Sequence, residues 1–212
     1  MQQPILTINE ISFERNNTFL FENISCSLVK GDVLQIAGTN GSGKSTLLRI
    51  LAGLLEPESG SISWKNKCIY EDAETYKRDL HFLGHQNGIK MHLTVHENLK
   101  HYCALTGITY KPSTINSIIN KLKIDSVFNT QTSYLSAGQL RRLSLAKLLL
   151  NPQRLWLLDE PATALDSEGQ QLLIDLISQH QSAGGITILA THQPLPLTVT
   201  MKKIQLGSAY VS

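Results

Sequence analysis

Gly38-Thr39-Asn40-Gly41-Ser42-Gly43-Lys44-Ser45 fits the pattern G-x-x-x-x-G-K-[ST], and its flanks supply the context that the pattern requires. Val33-Leu34-Gln35-Ile36-Ala37 before it reads as a strand buried on both faces. Leu47-Leu48-Arg49-Ile50-Leu51-Ala52-Gly53 after it reads as a helical segment closed by a glycine. Glycines let a backbone wrap closely around phosphate with its amide hydrogens turned inward, and a helix that begins near Lys44 adds its positive end. Thr39, Asn40 and Ser42 complete the loop between the glycines. In such a loop the Lys44 ammonium reaches the β- and γ-phosphates of a nucleoside triphosphate. The Ser45 hydroxyl ligates Mg²⁺, and Thr46 reaches the α-phosphate.

Further along, Leu155-Trp156-Leu157-Leu158 is a second buried apolar run, and it ends in Asp159-Glu160. Ligands of open α/β sheets bind at the carboxyl ends of strands. Asp159 is therefore expected across from Ser45 as a second Mg²⁺ holder, and Glu160 is placed to orient or deprotonate an attacking water. Ile186-Thr187-Ile188-Leu189-Ala190 is a third buried run. Helical patterns cover Asn98–Leu105, Ser113–Leu122, Gln139–Leu150 and Ser167–His180, the last closed by Gly184-Gly185. Shorter strand patterns fall at Ile5–Ile8, Ile11–Phe13, Ile24–Val29, Ser61–Trp64, Leu80–Leu83 and Lys203–Leu206. The expected fold is α/β, a phosphate-loop NTPase with a mainly parallel core sheet, an N-terminal antiparallel β part and an inserted helical subdomain. The expected division is a core at about 1–86 and 151–212, with the helical part at about 87–150.

Bulk properties agree with one globular domain. The 212 residues are 42% apolar and 17% charged, with a net charge of +2, too balanced to coat nucleic acid by charge alone. Met1-Gln2-Gln3-Pro4 lacks the basic start of a signal peptide. Ile186–Met201, an uncharged stretch near the end, is too short and too broken by prolines to span a bilayer. Cys26, Cys68 and Cys103 are odd in number and widely spaced, as for reduced thiols of a cytoplasmic chain. His92 and His96 have a ligand-like spacing, but no Cys or carboxylate set completes a site, so the histidines are read as structural or interfacial. Arg141, Arg142 and Lys147 are read as a solvated basic helix face.

Leu135-Ser136-Ala137-Gly138-Gln139 alone is an ordinary helix start. With the motifs above it resembles the signature of ATP-binding-cassette (ABC) ATPases. Gln86, Pro161, Ala164-Leu165-Asp166 and His192 follow in the order of that family's Q-loop, the proline after its acidic pair, D-loop and switch histidine. The resemblance covers essentially the whole chain. It implies two copies packed head to tail, each ATP held by the phosphate loop of one and by Ser136 and the Gly138 amide of the other. It also implies that His192 holds the γ-phosphate and that Gln86 touches Mg²⁺ or the water. Two departures stand out: Ala137 replaces the usual glycine, and the place of the adenine-stacking aromatic falls on Arg15, two residues after Phe13.

Within the family, Gly84-His85-Gln86-Asn87-Gly88-Ile89-Lys90, Leu93-Thr94-Val95-His96-Glu97-Asn98-Leu99 and Thr191-His192-Gln193-Pro194-Leu195 resemble the ATP-binding subunits of bacterial haem-exporter-type transporters of cytochrome c maturation. The implied partners are a second copy, an integral membrane permease subunit and further haem-handling membrane proteins. The implied place is the cytoplasmic face of the inner membrane. A cassette for another exported substrate and a non-transport ABC ATPase are the alternatives. A GTPase or kinase would leave the Leu-Ser-Ala-Gly-Gln segment without a role, and no N-K-x-D base-reading motif is present.

Overall fold

The computed structural model describes residues 3–192, 195–196 and 201–207. Met1, Gln2, Gln193, Pro194, residues 197–200 and the stretch 208–212 lie outside the described residues. The chain divides into two compact units. One comprises Met1–Gly84, Gln153–Glu160 and Ile177–Ser212; the other comprises His85–Pro152 and Pro161–Leu176. Residues 161–176, grouped with the core from sequence, fall in the second unit.

The first unit holds two sheets. One is antiparallel, in the order β2-β1-β4-β5, from β1 (Leu6–Glu14), β2 (Phe19–Leu28), β4 (Ser59–Trp64) and β5 (Lys67–Cys68). The two strand patterns at Ile5–Ile8 and Ile11–Phe13 are one strand with a register shift, where Glu10 takes φ 49°. Asn16 and Asn17, both left-handed at φ 54° and 57°, make the tight turn into β2. Asparagine tolerates that conformation better than most residues. The other sheet is wholly parallel, in the order β6-β7-β8-β3-β9. Its strands are β3 (Val33–Ala37), β6 (Leu80–Leu83), β7 (Leu155–Asp159), β8 (Ile186–Ala190) and β9 (Met201–Gln205).

Every residue of β7 and β8 is buried, which is why both read as unbroken apolar runs. Helix α1 (Lys44–Leu51) buries Leu47, Leu48, Ile50 and Leu51 completely. These join Leu6, Ile8 and Ile62 of the antiparallel sheet and Leu34, Ile36, Leu157 and Ile188 of the parallel sheet in one apolar core. Burying a leucine of this kind is worth about 1.5–3 kcal/mol, so the apolar face of the helix behind the glycine loop anchors it firmly. A short helix, α2 (Ala73–Asp79), escaped the sequence reading; only Tyr76 of it is buried, and its hydroxyl donates to Leu51 O.

The second unit is helical: α3 (Val95–Thr106), α4 (Pro112–Lys121), α5 (Ala137–Leu150) and the start of α6 (Ser167–Ser182). Thr94 and Glu97 form a reciprocal cap at the start of α3. His96 packs between the rings of Phe128 and Tyr110, at 4.8 and 5.6 Å. Cys103 is a buried thiol of α3.

Candidate functional site

Parallel pairing sets the site. Ile36 of β3 and Asp159 of β7 both lie in register with Ala190 of β8, so three strands end together. The glycine loop leaves β3 at that edge, Glu160 follows β7, and His192 follows β8 two residues on. Asp159 is 4% exposed. Glu160 is tied to the edge by its backbone N–H, which donates to Ala190 O at 2.9 Å. His192 Nδ1 lies 2.9 Å from Glu160 Oε2. An Nδ1–H donated to that carboxylate would fix the ring and leave Nε2 for another group.

In the loop, Gly41 and Gly43 are left-handed at φ 83° and 94°. A Cβ on Gly43 would meet the Phe21 ring at 3.0 Å as well. Gly43 therefore satisfies both a backbone and a packing requirement. Lys44 is buried, and its Nζ donates to Gly38 O and Thr39 O, each at 2.9 Å, so its positive charge lies within the turn it closes. Ser42 Oγ is a buried hydroxyl without a hydrogen-bond partner among the described residues. The end of β9 braces the loop. A Cβ on Gly38 would stand 2.8 Å from Leu206 O, and one on Gly207 3.0 Å from Ser42 Cβ. This brace had no sequence signal, because Leu206-Gly207 is far along the chain and matches no motif. Thr46 lies in the first turn of α1, half-buried, one residue beyond the exposed Ser45.

Arg15 is exposed at the mouth of the β1–β2 turn, its N–H donating to Thr18 O at 2.9 Å. Phe13 instead packs on Phe21, ring centroids 6.3 Å apart. Gln86, Ser136 and Gly138 belong to the second unit. Ser136 caps α5: its Oγ accepts from Gln139 N at 3.2 Å, and Gln139 Oε1 accepts from Ser136 N at 2.9 Å. Gly138 lies beneath Ala164, whose carbonyl would be 3.0 Å from an added Cβ. Gln86 lines an open groove of about 430 Å³ with His85, Gly88, Ile89, Met91 and Leu140.

The basic face of α5 is a correction. Arg141 and Arg142 are 3% and 7% exposed, and Lys147 is half-buried. The Arg141 guanidinium donates to Pro161 O and Asn87 Oδ1, both at 3.0 Å. Arg142 donates to Asp166 Oδ1 at 2.8 Å and Glu168 Oε2 at 3.2 Å. Burial works against its charge, but the two carboxylates outweigh it and strengthen its hold on the proton. The Gly169 N–H, then Arg142, holds Asp166 below the usual carboxylate range. Burial pulls the Lys147 ammonium down to about 8. Three cations in seven residues look solvated in a sequence, since their carbonyl and carboxylate partners lie 20 to 60 residues away.

Comparison with known proteins narrows what this edge serves. Residues 21–163 match the ABC transporter family. The chain belongs to that family. The cassette is 41% identical over 207 residues to a protein of Cupriavidus pinatubonensis named cytochrome c biogenesis ATP-binding export protein CcmA, covering 98% of this chain and 91% of that one. It is 43% identical over 204 residues to a protein of the same name from Vibrio cholerae, covering 96% and 99%. In structure it resembles an ABC transporter ATP-binding protein of Pyrococcus furiosus, with a TM-score of 0.82 at 25% identity, covering 95% of this chain and 96% of that one. The cassette is thus an ATP-binding, ATP-hydrolysing subunit of a transporter, and family membership implies a membrane permease partner. Among the described residues no helix is long and apolar enough to cross a membrane.

Proposed function

We propose that the cassette hydrolyses ATP in two composite sites of a homodimer and powers a CcmAB-type complex of cytochrome c maturation at the cytoplasmic face of the inner membrane. The observation that carries the reading is the Glu160–His192 pair, 2.9 Å apart, at the strand edge from which the glycine loop departs. The relatives' shared name, over nearly the full length of each chain, supports the cytochrome c role. The permease and further haem-handling membrane proteins are the proposed partners, with haem as cargo or as the load of a membrane chaperone.

Glu160 accepts the proton of the attacking water, and His192 holds the carboxylate in place and turns Nε2 toward the γ-phosphate. Lys44, the loop amides of Gly38–Ser45 and the amino end of α1 meet the charge that gathers on the phosphoryl oxygens. Thr46 takes the α-phosphate and Arg15 stacks on the base. Ser136 and the Gly138 amide close the site from the second copy. For Mg²⁺ the donor chemistry fits: the Ser45 hydroxyl and the buried Asp159 carboxylate are hard oxygen ligands that would hold it together with the phosphates, and the family resemblance would add the Gln86 amide oxygen. When bound, Mg²⁺ neutralises phosphate charge.

Glu160→Gln preserves shape and removes the base. ATP hydrolysis is expected to fall by about a hundredfold or more, while ATP stays bound and the chain sediments as a dimer. A variant that binds ATP with Mg²⁺ and remains monomeric would overturn the composite site. Isolation of the cassette with an unrelated permease and no haem-loaded membrane protein would redirect the reading to another exported substrate.

A further inference from the structure

The chemistry above leaves Lys147 unused, yet its surroundings are specific. Its Nζ donates to Asn87 O at 2.9 Å and to Gly88 O at 2.8 Å, and lies 5.8 Å from the centre of the Tyr102 ring. Gly88 is left-handed at φ 59°, and a Cβ there would stand 3.3 Å from Nζ, so the loop is folded down onto the ammonium. From the same helix, Arg141 takes the Asn87 side chain at 3.0 Å. Farther along, other elements hold the strap. Asn98 of α3 donates to Lys90 O and accepts from Lys90 N, and Thr132 donates to Lys90 O. The two residues immediately after Gln86 are thus held by α5 alone among these groups, and α5 is the helix that Ser136 caps.

We infer that Lys147 is a positioning residue: it ties the backbone behind Gln86 to the helix opened by Ser136, so that the Gln86 segment and the signature turn move as one body. A strap held by backbone carbonyls cannot be predicted from loop side chains, because the carbonyls are present whatever the loop sequence. An arginine could span the same two carbonyls; a methionine of similar length could not. The inference rests on the proposed roles of Gln86 and Ser136 in ATP chemistry.

The test compares the full chain with Lys147→Met and Lys147→Arg in two measurements. In ATP hydrolysis, Lys147→Met is expected to lower kcat about tenfold with KM within about twofold, because a loop displaced by a fraction of an ångström still binds but misplaces its glutamine. In hydrogen exchange, peptides spanning 85–93 are expected to exchange about tenfold faster, while β3, β7 and β8 keep their protection. Lys147→Arg should restore both. Unchanged exchange at 85–93 in Lys147→Met would overturn the inference, as would faster exchange throughout the second unit or failure of arginine to restore the segment. If Lys147→Met does not fold, Lys147→Leu, also without a donor, gives the same comparison. Should even the wild-type chain fail to hydrolyse ATP, the reading of the site falls, while the exchange measurement still decides whether Lys147 holds the strap.

Discussion

His180 shows how a single ring can make a core sensitive to acid. It lies flat on Trp156, centroids 3.8 Å apart and planes 3° from parallel, with Nε2 3.3 Å from Ile186 O. Gly185 leaves room for it; a Cβ there would collide with the ring at 2.2 Å. Burial drives its pKa from 6.5 down to about 4, against the weaker pull of the Ile186 and Arg154 carbonyls. The folded state therefore resists the proton more than the unfolded chain does. Its contribution is complete above pH 6.5 and is lost as pH falls toward 4. The full difference corresponds to up to about 3 kcal/mol. His180→Phe keeps the stack and removes the titration. Urea unfolding at pH 7 and pH 4.5 should show the wild type losing more stability than the variant; equal losses would mean that the ring is not held neutral. None of this was legible from sequence, where His180 is the last residue of a helical pattern. The same limit applies to Glu160, identified from its place after an apolar strand, whose left-handed φ of 46° only coordinates reveal. Sparsely populated backbone conformations cluster at active sites, which agrees with the base proposed at Glu160.

At the scale of elements, α5 poses a sharper question, because Ser136 has a structural duty whatever else it does. Its hydroxyl accepts the Gln139 N–H, and loss of such a cap costs about 1 kcal/mol. Ser136→Ala alone therefore cannot separate cap from ligand. Ser136→Asp can: aspartate caps helices about as well as serine, so thermal stability should stay within about 0.5 kcal/mol of wild type. A carboxylate aimed at a triphosphate repels it, so ATP hydrolysis at saturating protein should fall at least tenfold, an estimate from like-charge opposition in a dry site. A stable and fully active Ser136→Asp would remove Ser136 from the ATP site. Elements were legible in proportion to how much of their surface they bury. β3, β7 and β8 announced themselves because both faces are covered and nearly every position is apolar. Helix α2 did not, since seven residues with one buried side chain carry no periodicity. The cations of α5 were misjudged for the opposite reason: their burial depends on distant partners rather than on local pattern.

For the whole molecule, the phosphate loop, Asp159, Glu160 and His192 lie in one unit, and Ser136 and Gly138 in the other. Motif order proposes which residues to gather but says nothing about which copy supplies them. Mixing two dead variants decides it. Lys44→Ala loses the phosphate grip of its own loop, and Ser136→Arg blocks the signature turn it presents to a partner. If sites are built in trans, a mixed dimer pairs the intact loop of the Ser136→Arg chain with the intact signature of the Lys44→Ala chain. Its other site carries both lesions. Random exchange at equal concentrations makes about half the dimers mixed, each with one good site of two, so activity should recover to about one quarter of wild type if the sites work independently. If instead each chain completes its own site, the mixture stays as inactive as its components. A Ser136→Arg chain that retains full hydrolysis by itself would remove the signature turn from the reaction altogether.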